Sequence, residues 1–139
     1  MRFWDSSAVV PLMMEEVESS ARGEALKEDA ELLVWYGTPA EIESALQRRR
    51  REEALSPDQE ALAREKLAVL SAAWYEVQPT TRVRDRALRL LRVHRLRAAD
   101  AFQLAAALIA CEERTKSFHF HTADQRLAAA ASAEGFVVS

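Results

Sequence analysis

The sequence contains few of the residues that mark several common classes of protein. Three glycines and four prolines in 139 residues exclude collagen-like and low-complexity chains. Because Cys111 is the only cysteine, no internal disulfide can form, and we expect a reducing compartment, the cytoplasm. The opening segment, MRFWD, lacks the apolar stretch of a signal peptide, and no run reaches the roughly eighteen apolar residues that span a membrane. The sequence therefore predicts a cytoplasmic protein with no membrane partner.

Neither sign of charge dominates the chain. Nineteen basic residues stand against twenty-two acidic ones, for a formal net charge of −3. This excludes a protein that is cationic overall and binds nucleic acid through its total charge, but it leaves a local basic patch open. Apolar residues make up 49% of the chain, which is enough for a hydrophobic core. The length is typical of one domain, and we expect a single domain over residues 1–139.

Short apolar runs alternate with helical patterns along the chain. Strands are predicted at residues 3–4, 32–36, 75–78, 118–121 and 136–138. Helices are predicted at residues 8–14, 17–27, 98–111 and 125–133, with others that begin at Thr38 and Ser56 and an arginine-rich helix that includes residues 83–91. Ser7 and Thr38 are the predicted N-caps of the helices that follow them. Strands that alternate with helices indicate an α/β domain with a mostly parallel sheet.

Four acidic residues lie near the ends of predicted strands or the starts of predicted helices. Asp5 follows the first strand and Asp124 the fourth, while Glu41 and Asp100 lie in the first turns of helices. Each also has a purely structural interpretation, such as a capping box between Glu41 and Thr38. In an open parallel sheet, however, ligands bind beyond the carboxyl ends of the strands. The four carboxylates are therefore candidates for one site.

A cluster of this kind predicts a divalent metal. Carboxylates that converge repel one another unless positive charge neutralises them. Oxygen ligands without a set of cysteines and histidines favour Mg²⁺ or Mn²⁺ over zinc. His119 and His121 share one face of a predicted strand, but no further cysteine or histidine lies nearby, so we interpret them as residues of the sheet. Pairs of hard cations held by acidic side chains commonly hydrolyse phosphodiester bonds.

Arginines are strongly segregated along the chain. A cluster between residues 82 and 97 contains one acidic residue, Asp85, and a second run covers residues 48–51. The planar guanidinium group binds two phosphate oxygens at once, so the first cluster is a candidate for RNA contact. A solvated helix face or contact with an acidic partner protein remains open for it, and we interpret residues 48–51 as solvated. The RNA-binding candidates are Arg82, Arg84, Arg86 and Arg89.

Four segments resemble the PIN domain family, and in particular VapC-type toxin ribonucleases. They are FWDSSAVV at residues 3–10, TPAEIESAL at 38–46, LRAADAFQLAAAL at 96–108 and HTADQRLA at 121–128. The segment EGF at residues 134–136 is similar to the end of the family's domain. The matching segments extend over essentially the whole chain, and their order and spacing make the resemblance specific.

The resemblance implies a three-layer α/β/α sandwich that cleaves RNA with Mg²⁺ or Mn²⁺. It also implies inhibition by a cognate antitoxin protein, as in a type II toxin–antitoxin pair, and together with the apolar helices it favours a homodimer. Hydroxyl groups at Ser7 and Thr122 match positions that support the metal site in the family. Glu43 is an alternative to Glu41 as the second of the family's four acidic residues. Helix geometry favours Glu41, because Glu43 lies about 200° further around the helix, on the side of Gln47. The family's acidic quartet corresponds to Asp5, Glu41, Asp100 and Asp124.

Two other functions compete with the nuclease hypothesis. A non-catalytic module with the same fold would bind RNA or a partner protein, although such a module would be expected to lose at least one of the four acids. A phosphatase that uses Asp5 as nucleophile usually has a second aspartate two residues later, where this chain has Ser7. The sequence therefore favours a metal-dependent endoribonuclease.

Overall fold

A computed structural model describes residues 1–16 and 19–139 and contains a β-sheet between two layers of helices. The strands are β1 (Arg2–Trp4), β2 (Leu32–Trp35), β3 (Tyr75–Val77), β4 (His119–His121) and β5 (Val137–Val138). The helices are α1 (Ser6–Met13), α2 (Ser19–Glu28), α3 (Thr38–Arg51), α4 (Pro57–Ala73), α5 (Thr81–Val93), α6 (Ala98–Ala110) and α7 (Gln125–Ala133). The strand order is β3-β2-β1-β4-β5, and every pair of neighbours is parallel. The predicted α/β/α fold is confirmed, with a sheet that is parallel throughout the described residues.

Side chains on the two faces of the sheet belong to two separate cores. Successive residues of a strand point to opposite faces, so Phe3 of β1 packs in one core and Trp4 in the other. The core around Phe3 contains buried side chains of α5, α6 and α7. The core around Trp4 contains buried side chains of α1, α3 and α4. Helices therefore cover both faces of the sheet.

The central helix α6 agrees with the helix predicted at residues 98–111 and is one residue shorter. Seven of its thirteen residues are buried, and it packs closely along α5. Cys111, which follows its last residue, is a buried free cysteine that belongs to the core around Phe3. The only polar side chains within α6 are Asp100 in its first turn and the fully buried Gln103. These two side chains face the site described below.

The first two helices differ from their predicted starts. The N-cap of α1 is Asp5, whose side chain accepts a hydrogen bond from the amide of Ser7, so the prediction of Ser7 as the cap is wrong. Asp5 precedes Ser7 by two residues, which is the spacing that an Asx cap needs. The helix predicted at residues 17–27 is described from Ser19 to Glu28, and residues 17 and 18 lie outside the described residues. Among the helices that the structure describes, none is both long and apolar enough to cross a bilayer.

The start of α3 also differs from its prediction. The N-cap position is occupied by Gly37, and no side chain bonds to the helix start. Thr38 is instead the first helical residue and is completely buried, where its hydroxyl accepts a hydrogen bond of 3.1 Å from Gln103. Because that hydroxyl serves a contact between helices, the predicted capping box between Thr38 and Glu41 does not form. The side chain of Glu41 is therefore available for other partners.

Candidate active site

The carboxyl ends of three adjacent strands open onto one cleft. Strands β2, β1 and β4 are neighbours in the sheet, and each leads directly into a helix start. The cleft has a volume of about 960 Å³, and we call it the acidic cleft. Its charged lining residues are Glu16, Glu41, Asp100, Asp124, Arg48, Arg49, Arg97 and Arg126. Ser6 and Ser7, at the start of α1, also line the acidic cleft.

Asp5 lies beneath the cleft wall, at the end of β1, and is only 3% exposed. Its Oδ2 accepts hydrogen bonds from the hydroxyl of Ser7 and, at 2.9 Å, from the hydroxyl of Thr122. The backbone amide of Asp5 donates to the carbonyl of His121 at 2.9 Å, which joins β1 to β4 at this point. Burial raises the pKa of the Asp5 carboxyl, and the hydrogen bonds from Ser7 and Thr122 oppose that shift.

The turn after β4 links Asp124 to Ser7 and Thr122, the two residues whose hydroxyl groups bind Asp5. The amide of Asp124 donates to the hydroxyl of Thr122 at 3.1 Å, and the amide of Ala123 donates to the hydroxyl of Ser7 at 2.9 Å. Asp124 is itself the N-cap of α7, because its Oδ1 accepts a hydrogen bond of 2.9 Å from the amide of Leu127. The turn therefore holds Asp124 at the cleft through backbone and side-chain bonds.

Glu41 is held at both of its carboxylate oxygens. Its Oε1 accepts a hydrogen bond of 3.0 Å from the hydroxyl of Ser6, and its Oε2 accepts one of 2.9 Å from the amide group of Gln103. Burial raises the pKa of Glu41 to about 7, and the negative charges of Asp5 and Asp100 add to the increase. The hydrogen bonds from Gln103 and Ser6 act in the opposite direction.

Asp100 completes an electrostatically coupled group. It is half-buried in the first turn of α6, and burial raises the pKa of its carboxyl. The charges of Asp124 and Asp5 raise this pKa further, while Arg97 at the helix start lowers it. Because the pKa of Glu41 also responds to Asp5 and Asp100, the four acids interact through space although they come from four separate segments.

The chemistry of these donors fits a hard divalent cation. Four carboxylates and two hydroxyl groups are oxygen donors of the kind that Mg²⁺ and Mn²⁺ bind. Within residues 1–16 and 19–139, no three histidine, cysteine, aspartate or glutamate side chains form a group that could hold a metal ion as they stand. Mg²⁺ keeps several of its waters and needs only one or two direct carboxylate contacts, so a complete protein cage is not required.

Glu43 has different surroundings from Glu41, although both belong to α3. Its carboxylate accepts hydrogen bonds of 2.9 Å from Gln47 and from both terminal nitrogens of Arg64. The bonds from Arg64 lower the pKa of Glu43 to about 2. The structure therefore places Glu41 in the acidic cleft and Glu43 in an exposed ion pair with α4.

The arginines at the cleft are mostly different from the RNA-binding candidates of the sequence. Those candidates belong to α5, and none of them lines the acidic cleft in the part of the chain that the structure describes. Arg86 is paired with Glu113 at 2.7 Å. The cleft is lined instead by Arg48 and Arg49, which the sequence analysis interprets as solvated, and by Arg97 and Arg126. The other three candidates, Arg82, Arg84 and Arg89, are exposed. None of them forms an ion pair with a residue that the structure describes.

Sequence reasoning missed three side chains at the site: Ser6, Gln103 and Arg126. Gln103 had a usable signal, because it is one of only two polar residues in an otherwise apolar helix. Arg126 lies in the second position of α7, close to Asp124, and its position in sequence alone gave no reason to separate it from other exposed arginines.

Comparisons with known proteins agree on one family. A model of the PIN domain family matches residues 2–133. The crystal structure of PAE2754 from Pyrobaculum aerophilum is similar with a TM-score of 0.69 and 18% identity, over 99% of this chain and 87% of that chain. The crystal structure of FitAcB from Neisseria gonorrhoeae is similar with a TM-score of 0.67 and 14% identity, over 99% of this chain and 96% of that chain. A comparison with curated protein sequences gives no match.

The two structural similarities support the same architecture at low sequence identity. The family match covers nearly the whole chain, including the segments that carry Asp5, Glu41, Asp100 and Asp124. On this evidence, the chain belongs to the PIN domain family.

Proposed function

We propose that this protein is an endoribonuclease that hydrolyses RNA phosphodiester bonds with Mg²⁺ or Mn²⁺, and that it is the toxin of a type II toxin–antitoxin pair. The observation that carries the proposal is the group of four coupled carboxylates at one cleft, three of them with a raised pKa. Such a group favours a divalent cation, because the charges otherwise repel one another. PIN domains are generally nucleases, which supports phosphodiester hydrolysis at this cleft.

The four carboxylates would hold one or two cations. A bound cation would supply activation of water and stabilisation of the charge that develops on the phosphate. The chain's own contribution is orientation: Ser7 and Thr122 hold Oδ2 of Asp5, while Ser6 and Gln103 hold the two oxygens of Glu41. Partners of this kind fix the direction of a ligand's lone pairs before a metal binds.

Glu41 also provides a site for a proton at neutral pH. With a pKa of about 7, its carboxyl group is protonated about half of the time at that pH in the cation-free cleft. A cation that binds there would displace this proton, so cation binding should release protons and weaken as the pH falls.

Positive charge at the rim supports RNA as the substrate. Arg48, Arg97 and Arg126 line the same cleft as the acids, and guanidinium groups bind phosphate oxygens in pairs. Their distance in sequence from one another means that only the fold brings them together. The assignment of Arg82, Arg84, Arg86 and Arg89 to RNA binding stays a prediction.

Exposed apolar side chains offer surfaces for the two protein partners in the proposal, an antitoxin and a second copy of the chain. Leu62 and Val69 of α4 are 51% and 73% exposed, and Leu88 and Val93 of α5 are 50% and 66% exposed. Contiguous exposed apolar patches are typical of sites of protein association, and these side chains are the candidates for such patches. Light scattering of the purified chain tests the dimer, and co-purification with the protein encoded next to it tests the antitoxin.

The proposed activity is tested by RNA cleavage with purified, partner-free protein. Total cellular RNA is incubated with Mn²⁺, Mg²⁺ or EDTA, and new 5′ ends are mapped for the wild type and for Asp100→Asn. Asp58→Asn is the matched control, because Asp58 also lies in the first turn of a helix but is exposed on α4. We expect metal-dependent cleavage that falls by about 100-fold or more in Asp100→Asn and is unchanged in Asp58→Asn.

Two results would contradict the proposal. Cleavage that persists in Asp100→Asn would come from another source or another site. No cleavage in any metal, together with no rise in melting temperature on addition of Mn²⁺, would favour the non-catalytic module that binds RNA or protein.

A further inference from the structure

A second cavity borders the acidic cleft along α7. It has a volume of about 360 Å³ and is lined by His94, Arg95, Arg126, Ala129 and Ala130. We call it the α7 cavity. Arg126 also lines the acidic cleft, so its side chain belongs to the walls of both cavities. The two cavities are therefore neighbours that share Arg126 as a lining residue.

The geometry of α7 sets the distance between the two cavities. Asp124 is the N-cap of α7, and Arg126 lies in its first turn. Ala129 and Ala130 are three and four residues further on, so they share the face of Arg126 one turn later. A helical turn advances only about 5.4 Å, so the two cavities are close enough for one strand of nucleic acid to contact both. The small alanine side chains leave room above this part of the helix.

The charge of the α7 cavity is available for a ligand. Arg95 and Arg126 are exposed, and neither makes an ion pair with any residue in the ranges 1–16 and 19–139. Glu134 is the acid nearest to His94, at 3.3 Å, and it also lies 3.6 Å from Arg86. Glu134 therefore contacts these two residues, and it forms no ion pair with Arg95 or Arg126. The paired arginines of the protein, such as Arg86 with Glu113, do not offer the same opportunity.

We propose that the α7 cavity is a second phosphate subsite, which binds the backbone of single-stranded RNA next to the part that lies in the acidic cleft. The inference rests on the proposed function for its substrate class, and it adds the direction in which the RNA runs. Arg126 contacts the backbone between the two cavities, and Arg95 contacts the phosphate in the α7 cavity. Both contacts are to phosphate, so they are independent of base sequence.

The salt dependence of RNA binding tests this path. Fluorescence anisotropy measures the affinity for a labelled, random-sequence single-stranded RNA in EDTA, where the four acids hold no metal and cleavage is absent. The variants are Arg95→Gln and Arg126→Gln. The matched control is Arg51→Gln, because Arg51 is an exposed arginine at the end of α3 that lines neither cavity and is not among the RNA-binding candidates. All three variants remove one exposed charge, and we expect all three to fold as the wild type does.

Each lost phosphate contact should reduce the slope of log affinity against log salt concentration by about 0.7. A fourfold rise in salt concentration should therefore weaken RNA binding less in Arg95→Gln and in Arg126→Gln than in the wild type. The two fold-losses of affinity should differ by a factor of about 2.6. The slope of Arg51→Gln should equal that of the wild type. A dinucleotide without a terminal phosphate carries a single phosphate and cannot fill both subsites, so Arg95→Gln should change its affinity much less than that of the longer RNA.

The outcomes separate this inference from the proposed function. Equal slopes for Arg51→Gln and Arg95→Gln, or no RNA binding by the wild type, would overturn the α7 path. RNA cleavage with an unchanged slope in Arg95→Gln and Arg126→Gln would retain the nuclease and reject the subsite. Reduced slopes in both variants, without cleavage in any metal, would retain the subsite and reject the nuclease.

Discussion

Replacing Glu41 with glutamine should make the metal-free protein more stable at neutral and alkaline pH. The wild-type carboxyl has a pKa of about 7 in the folded state, against 4.5 for an ordinary glutamate, because it is buried beside Asp5 and Asp100. Between these two values the folded state binds a proton that the unfolded state has released. The stability that Glu41 contributes is therefore complete below pH 4.5 and is lost as the pH rises through about 7.

The size of this effect follows from the shift. Each pKa unit corresponds to about 1.4 kcal/mol, so ionisation of Glu41 costs about 3 kcal/mol of folding free energy above pH 7. Glutamine has nearly the same shape, carries no charge, and its amide oxygen can accept the hydrogen bond that Gln103 donates to Glu41. Glu41→Gln should thus be about 3 kcal/mol more stable than the wild type at pH 8 and equally stable near pH 4.

Urea denaturation in EDTA across this pH range measures the difference directly. Glu43→Gln is the matched control, since Glu43 lies two residues away on the same helix and has its pKa lowered to about 2 by Arg64. Its ion pair contributes stability above pH 4.5 that is lost as the pH falls through about 2, and because the pair is exposed the loss should stay below about 1 kcal/mol. If Glu41→Gln is no more stable than the wild type at pH 8, the reasoning from burial and charge repulsion is refuted.

Two further predictions concern the same cleft. Mn²⁺ at about 100 times its dissociation constant should stabilise the wild type by about 2.7 kcal/mol in urea denaturation, and Asp100→Asn should gain clearly less, while equal gains would place the metal elsewhere. Gln103→Leu should lower the free energy of unfolding by about 1–3 kcal/mol, because Thr38 and Glu41 lose a buried hydrogen-bond donor. Urea unfolding of this variant at pH 4 and pH 8 measures the change. If the variant is as stable as the wild type at both pH values, the amide group of Gln103 is dispensable for stability.

Local patterns in the sequence were sufficient to predict most of the fold. The predicted helix at 125–133 coincides with α7, and the run at residues 32–36 differs from β2 by one residue. The helix start at Ser56 was also predicted, and its capping box with Gln59 is present. These features depend on residues within one or two turns of each other, so they can be identified without knowledge of the rest of the chain.

Features that depend on contacts between distant segments were less accessible. Thr38 has the sequence pattern of a cap, but its hydroxyl accepts a bond from Gln103, sixty-five residues away. Arg126 is the single arginine of α7 and the arginines of α5 are clustered, yet only the position of α7 beside the acidic cleft shows that Arg126 lines it. A count of charges along the chain cannot determine which of them face one cavity.

The structural and the functional interpretations of the four acids describe one arrangement. Asp5 and Asp124 are N-caps of α1 and α7, while Glu41 and Asp100 lie in the first turns of α3 and α6. Four helix N-termini therefore converge on the cleft, and each supplies about half of a positive charge to nearby acids. This positive potential allows the chain to fold with the acids in place, but the pKa of about 7 at Glu41 means that repulsion is not fully cancelled. The remaining positive charge has to come from a proton, a divalent cation or the arginines at the rim, and competition among these three should govern the pH and metal dependence of the site.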